Sequence, residues 1–172
     1  MLISLKRDDF ETMDDTVLGA ACFEPFIPFI RGKDMKVKEE LYQKLTSGQK
    51  ALFMFKAYYN HANKSLAEFY WWSAYYYAQP KSWSAIKTGL QYFGADAFHR
   101  LIEDVEKVLE VRGYPKNLEN FTVSYNDIDK DHQLLSAIDP LHNMFNEISP
   151  ETLKIIGEKI RSIPSEFIKF DE

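Results

Sequence analysis

The chain has 172 residues, of which 45% are hydrophobic and 27% charged, and its formal net charge is −5. That is length enough for one domain with a sizeable core, and a composition that argues against disorder, low complexity or an all-β design. Cys22 is the only cysteine, which excludes an internal disulfide and a cysteine-built zinc site.

The N-terminal stretch MLISLKRDDFETMDD turns charged at Lys6 and lacks the apolar region of a secretory signal. No apolar run reaches the roughly 18 residues of a membrane span. A cytoplasmic protein is therefore expected. "DDTVLGAA" offers a short capped helix. "CFEPFIPFIRG", with prolines set between phenylalanines, predicts an extended segment laid on the body. Its thiol, in apolar surroundings without a basic neighbour, is expected to be buried rather than nucleophilic.

A short helix is predicted over Lys36 to Leu45. Thr46 or Ser47 caps a longer one, with Leu52, Phe55 and Tyr59 at helical spacing. Ser65 and Glu68 have the form of a capping box. They start a new helix, or residues 47–78 form one helix kinked near Asn60 to Lys64. Pro80 ends it in either case. Ser82 opens the next helix and Gly94 closes it. Phe98, Leu101, Ile102, Val105, Val108 and Leu109 mark the clearest amphipathic helix, stopped by Gly113 and Pro115.

Residues 114–126 read as a loop. Two helices are expected after it, around Asp129 to Ala137 and Pro140 to Glu147. Ser149 and Pro150 then cap and open a last helix striped by Leu153, Ile156, Ile160 and Ile163. The tail is expected to dock through Phe167 and Phe170. The predicted fold is a single compact all-α domain of six to eight helices.

Signatures of chemistry are few. The glycines are isolated, so there is no phosphate-binding glycine loop, and no G-x-S-x-G elbow. None of the four histidines, His61, His99, His132 and His142, stands in a zinc-binding pair motif. Asp127, Asp129 and Asp131 match the first calcium-loop positions. His132 and Ile138, where a glycine and a glutamate are needed, exclude an EF-hand. No cofactor or metal is implied.

Charge is uneven. Residues 1–45 carry 7 positive and 9 negative side chains, residues 46–113 carry 8 and 6, and residues 114–172 carry 6 and 11. The acidic last third disfavours direct nucleic-acid binding. It offers Asp127, Asp129, Asp131, Asp139, Glu147 and Glu151 as an acidic patch for a basic protein partner.

Seven of the nine residues from Phe69 to Tyr77 are aromatic. At about 100° per residue, Leu66, Phe69, Tyr70, Ser73, Tyr76 and Tyr77 share one face, which should be core. Ala67, Ala74 and Ala78 make a narrow face for close helix approach. Trp71, Trp72 and Tyr75 fall on a third side with Lys64, Ser65, Glu68 and Gln79. Left bare, such rings would rival the largest apolar patch of a typical monomer, about 300–600 Å². The acidic C-terminal segments, or a second copy in a homodimer, must shield them, and a sugar-stacking platform is a remote third use. Glu68, Trp71 and Tyr75 are the candidate contact residues there.

The run Asn63-Lys64-Ser65-Leu66-Ala67-Glu68-Phe69-Tyr70 resembles the mark of the bacterial DNA-mimic-protein-like domain family. That mark is asparagine, two glycines, phenylalanine, any residue, glutamine, phenylalanine and a further aromatic. Lys64 and Ser65 stand in place of the glycines, and Glu68 in place of the glutamine. "LTSGQKALF", Leu45 to Phe53, and "AIKTGLQYFGA", Ala85 to Ala95, extend the likeness over residues 45–110. The resemblance implies an all-helical fold, a dimer, and an acidic surface that imitates DNA and occupies a DNA-binding protein. The leading expectation is thus a non-enzymatic protein-binding domain. The alternatives are an immunity-type protein that neutralises a toxin, and a small hydrolase using His61 with Glu68 in an aromatic pocket.

Overall fold

Helical periodicity governs the structure, a computed structural model describing residues 2–171. The described chain is 75% helical, with seven helices of seven residues or more, so the fold is all-α. The elements run β1 (Ile3–Lys6), α1 (Arg7–Thr12), α2 (Asp15–Phe23), α3 (Ile27–Ile30), α4 (Met35–Gln43), α5 (Ser47–Ala62), α6 (Leu66–Tyr77), α7 (Pro80–Phe93), α8 (Asp96–Val111), α9 (Asp127–Lys130), α10 (His132–Ser162) and β2 (Ile168–Asp171). α10 packs along α2 and α8, while α5 packs on α6 and α7. Phe55, Tyr58, Phe69, Tyr70, Phe98 and Phe145 lie fully buried where these layers meet.

Three expectations need correction, and one short strand pair was not foreseen. "CFEPFIPFIRG" is helical: a 3-10 turn covers Glu24–Phe26 and α3 follows, with a proline in the first turn of each. Proline is tolerated there because those amides have no intrahelical acceptor. The two helices and the last helix expected after residue 126 are largely one, the 31-residue α10, with Pro140 and Pro150 inside it. Each proline removes one backbone donor. The carbonyls left over belong to Ser136 and Asn146, both exposed, so water can satisfy them. The buried stripe of Leu134, Ile138, Phe145, Ile156 and Ile160 holds the helix together across both. α7 begins at Pro80, two residues before Ser82. Finally, Ile3 to Lys6 and Ile168 to Asp171 pair as two parallel strands, Ile3 opposite Ile168.

The alternatives left open for residues 47–78 resolve into two helices. Ser65 caps α6 by accepting from the Glu68 amide at 3.1 Å. α5 carries the full capping box: Thr46 Oγ1 accepts from Gln49 N, and Gln49 Oε1 accepts from Thr46 N. Thr46 Oγ1 also donates to the Glu166 carbonyl at 2.5 Å, and the Gly48 amide donates to the Glu166 carboxylate. This cap therefore anchors the segment leading into β2, beside the buried Phe167. Thr46→Ala should cost about 1.5 kcal/mol, a lost cap plus one lost tertiary hydrogen bond. A urea unfolding midpoint unchanged from wild type would refute this.

Candidate functional site

A groove of about 580 Å³ opens between the α3–α4 segment, α5 and α6. Its walls follow from helical spacing. Phe53, Ala57, Asn60 and Lys64 come off one stripe of α5 and the turn after it, and Trp72, Tyr75, Tyr76 and Gln79 off the outer side of α6. Ile27, Ile30 and Met35 close the third side. Arg31, Lys38, Lys56 and Lys64 line it, and among the described residues no carboxylate does. A smaller cleft of about 360 Å³ near Pro150, lined by Thr16, Tyr59 and Ser149 among others, has no charged lining residue among the described residues.

Lys56 is the unusual member. Only 7% exposed, it is a lysine buried within α5. Its Nζ lies 5.5 Å from the centroid of the Tyr59 ring. Among the described residues no carboxylate comes within ion-pair distance of it. Burial pulls its pKa below the usual lysine range, and the more distant charge of Glu24 partly opposes that.

Next to Lys64, the His61 imidazole stacks on the Trp72 indole, centroids 3.9 Å apart and planes within 16°. The indole N–H donates to Glu68 Oε2 at 2.7 Å. His61 thus meets the face of the indole and Glu68 its N–H edge, and no hydrogen bond joins the two among the described residues. Burial, then Lys64, holds the His61 pKa below its ordinary value, with Glu68 opposing.

The aromatic run sorts as its spacing implies except at Tyr76, expected in the core but half-buried on the groove wall. Phe69, Tyr70, Ser73, Ala74 and Tyr77 are buried, while Trp71, Trp72, Tyr75 and Tyr76 are half-buried. The chain itself shields the outer rings. Trp71 is sandwiched between Tyr75 at 5.0 Å and Tyr125 at 5.1 Å, with Phe121 edge-on and its N–H donated to the Val123 carbonyl. Of the three candidate contact residues, Trp71 is committed to this internal stack. Glu68 holds the Trp72 indole, and Tyr75 both joins the stack and lines the groove.

The acidic candidates divide in two. Asp131 caps α10, accepting from Gln133 and Leu134 amides, and pairs with Arg112. Asp127 accepts from the Ser124 amide at 2.8 Å and the Tyr70 hydroxyl at 3.2 Å. Asp129, Asp139, Glu147 and Glu151 are exposed, Asp139 accepting from Asn143. Sequence reasoning missed the groove and Lys56. The available signal was a single lysine in the apolar run Phe53-Met54-Phe55-Lys56-Ala57-Tyr58-Tyr59.

Cys22 is buried, which pushes its thiol up to about 12. Among the described residues no group of three or more His, Cys, Asp or Glu is placed to hold a metal ion, and no helix is long and apolar enough to cross a membrane. No protein-family model, no curated protein and no solved structure matches the chain.

Proposed function

We propose that the protein is a non-enzymatic binding protein of the cytoplasm and that the groove between α3–α4, α5 and α6 is its recognition face. One observation carries this: among the described residues, the groove gathers aromatic side chains and four cationic side chains without a carboxylate. A concave, largely apolar cleft with a few convergent polar groups is the usual form of a ligand site, at about 300–1,000 Å³. Binding is favoured over hydrolysis because His61 lies flat on Trp72 while Glu68 accepts from the indole. A general base must instead reach the proton it removes.

A second reading keeps the exposed carboxylates Asp129, Asp139, Glu147 and Glu151 as a face for a basic protein: a DNA-binding protein, a toxin, or the basic groove of a second copy. Its support is that Asp129, Glu147 and Glu151 have no ion-pair partner within 4.0 Å among the described residues. It is weaker, since Asp127 and Asp131 spend their oxygens on internal caps.

Ala57, on the α5 wall, is the position to block. Small-molecule binding should raise the melting temperature of the wild type by about 5–10 °C at ~100-fold excess over Kd, and Ala57→Phe should abolish the shift while keeping its helical circular dichroism. Ligands that stabilise both proteins alike would sink the groove assignment. So would ester or phosphoester turnover that His61→Ala removes. Capture of a basic protein that survives Ala57→Phe, and fails once the four exposed acids become amides, would move recognition to the acidic face.

A further inference from the structure

We infer that the groove binds a small amphipathic organic anion, its acid head seated on Lys56 and its apolar body laid along the Trp72–Tyr76 wall. This rests on the groove being the recognition face.

Three observations converge on that ligand class. The first is Lys56, 7% exposed and without a carboxylate in ion-pair range among the described residues. A cation so little exposed and without a counter-charge is partly desolvated at a cost, although its nitrogen still reaches the solvent. A ligand carboxylate or phosphate would supply the missing charge through a charge-assisted hydrogen bond. The second is the sign of the surroundings. Arg31, Lys38 and Lys64 share the lining with Lys56, and none has a carboxylate within 4.0 Å among the described residues. Like charges gathered in a low-dielectric cleft focus a field that concentrates anions.

The third is apolar surface left in water at the groove. Met35 lines it yet is 67% exposed. Methionine adapts its shape to an irregular apolar partner. An apolar ligand body would cover this surface.

Size and net charge narrow the class further. A cleft of about 580 Å³ suits a molecule of small-ligand size. The chain's net charge of −5 repels a long polyanion. One little-exposed cation beside apolar walls fits one acid head on one apolar body.

Isothermal titration with octanoate, octyl phosphate and octylammonium, which share a chain and differ in head group, tests this. At least one of the two anions should bind about tenfold or more tightly than octylammonium, a difference of about 1.4 kcal/mol. The stronger of the two identifies the head. Lys56→Met should weaken that anion at least about tenfold, and Lys64→Met by a smaller factor. Octylammonium binding as tightly as both anions, Lys56→Met leaving the anions unaffected, or no probe binding at millimolar concentration would each overturn the inference. If all three bind alike and Ala57→Phe removes them all, the anion assignment fails while the groove reading stands. If binding persists in Ala57→Phe, both fail.

Discussion

Gly157→Ala should lower the unfolding free energy by about 3 kcal/mol, a large fraction of the stability of a domain this size. A Cβ placed on Gly157 would lie 2.1 Å from the Asp15 carbonyl oxygen and 2.7 Å from its Cα. The obstacle is backbone, so no rotamer change relieves it, and α2 must move off α10. Alanine would gain up to about 1 kcal/mol of helix propensity over glycine. That does not offset the loss of this contact.

The damage should spread, because the same junction holds Arg161. Its guanidinium pairs with Asp15 and donates to the carbonyls of Phe10 and Met13. Separating the helices strips partners from a half-buried cation. Urea unfolding of Gly157→Ala beside Lys154→Ala, an exposed change on the same helix, isolates the packing effect. Equal midpoints would mean that α2 retreats without loss, and the close-contact argument would fail.

How much of this was legible in the sequence depended on the range over which each signal acts. α8 is readable because Phe98, Leu101, Ile102, Val105 and Leu109 all bury on one stripe. The Thr46 and Ser65 caps are local hydrogen bonds and were readable too. Pro140 and Pro150 misled because a proline at the first helical position and one inside a well-packed helix look alike in sequence. Burial along α10 decides between them, and burial is tertiary. β1 and β2 were missed because each has only four residues and pairs with the opposite end of the sequence. Neither forms a local hairpin that turn residues could announce.

The candidate site was legible on one helix at a time. Helical spacing placed Trp72 and Tyr75 on the outer side of α6 with Glu68, and there they are. The groove needs two more walls, and the α3 wall comes from the segment read as extended. Two prolines there suggested an extended course, whereas both occupy first-turn positions. The rings that seemed to demand a partner found one inside the chain. Phe121, Val123 and Tyr125 belong to a loop whose sequence carries no periodicity to aim it at Trp71.

Lys56→Met should make the free protein more stable by about 2 kcal/mol near neutral pH, even as it removes a cation that lines the groove. The lysine stem is already packed, so methionine replaces most of its apolar contacts and drops only the unpaired ammonium. The pH dependence follows from the direction of the shift. Burial holds the folded-state pKa below the reference value of 10.5. Below the folded pKa both states carry the charge, and the folded state bears its full desolvation cost. Between the folded pKa and about 10.5 the unfolded chain binds more protons, so wild-type stability rises with pH. Above that range both states are neutral and the cost is gone. The advantage of Lys56→Met should therefore be constant at low pH and shrink as pH climbs toward that of free lysine. Taking the difference between two proteins that share every tyrosine removes the tyrosine titrations of the same range. Urea midpoints of both proteins from pH 6 to pH 10.5 measure it. A destabilised Lys56→Met would mean that the ammonium is satisfied within the fold, and its place as the seat of an incoming anion would be lost with it.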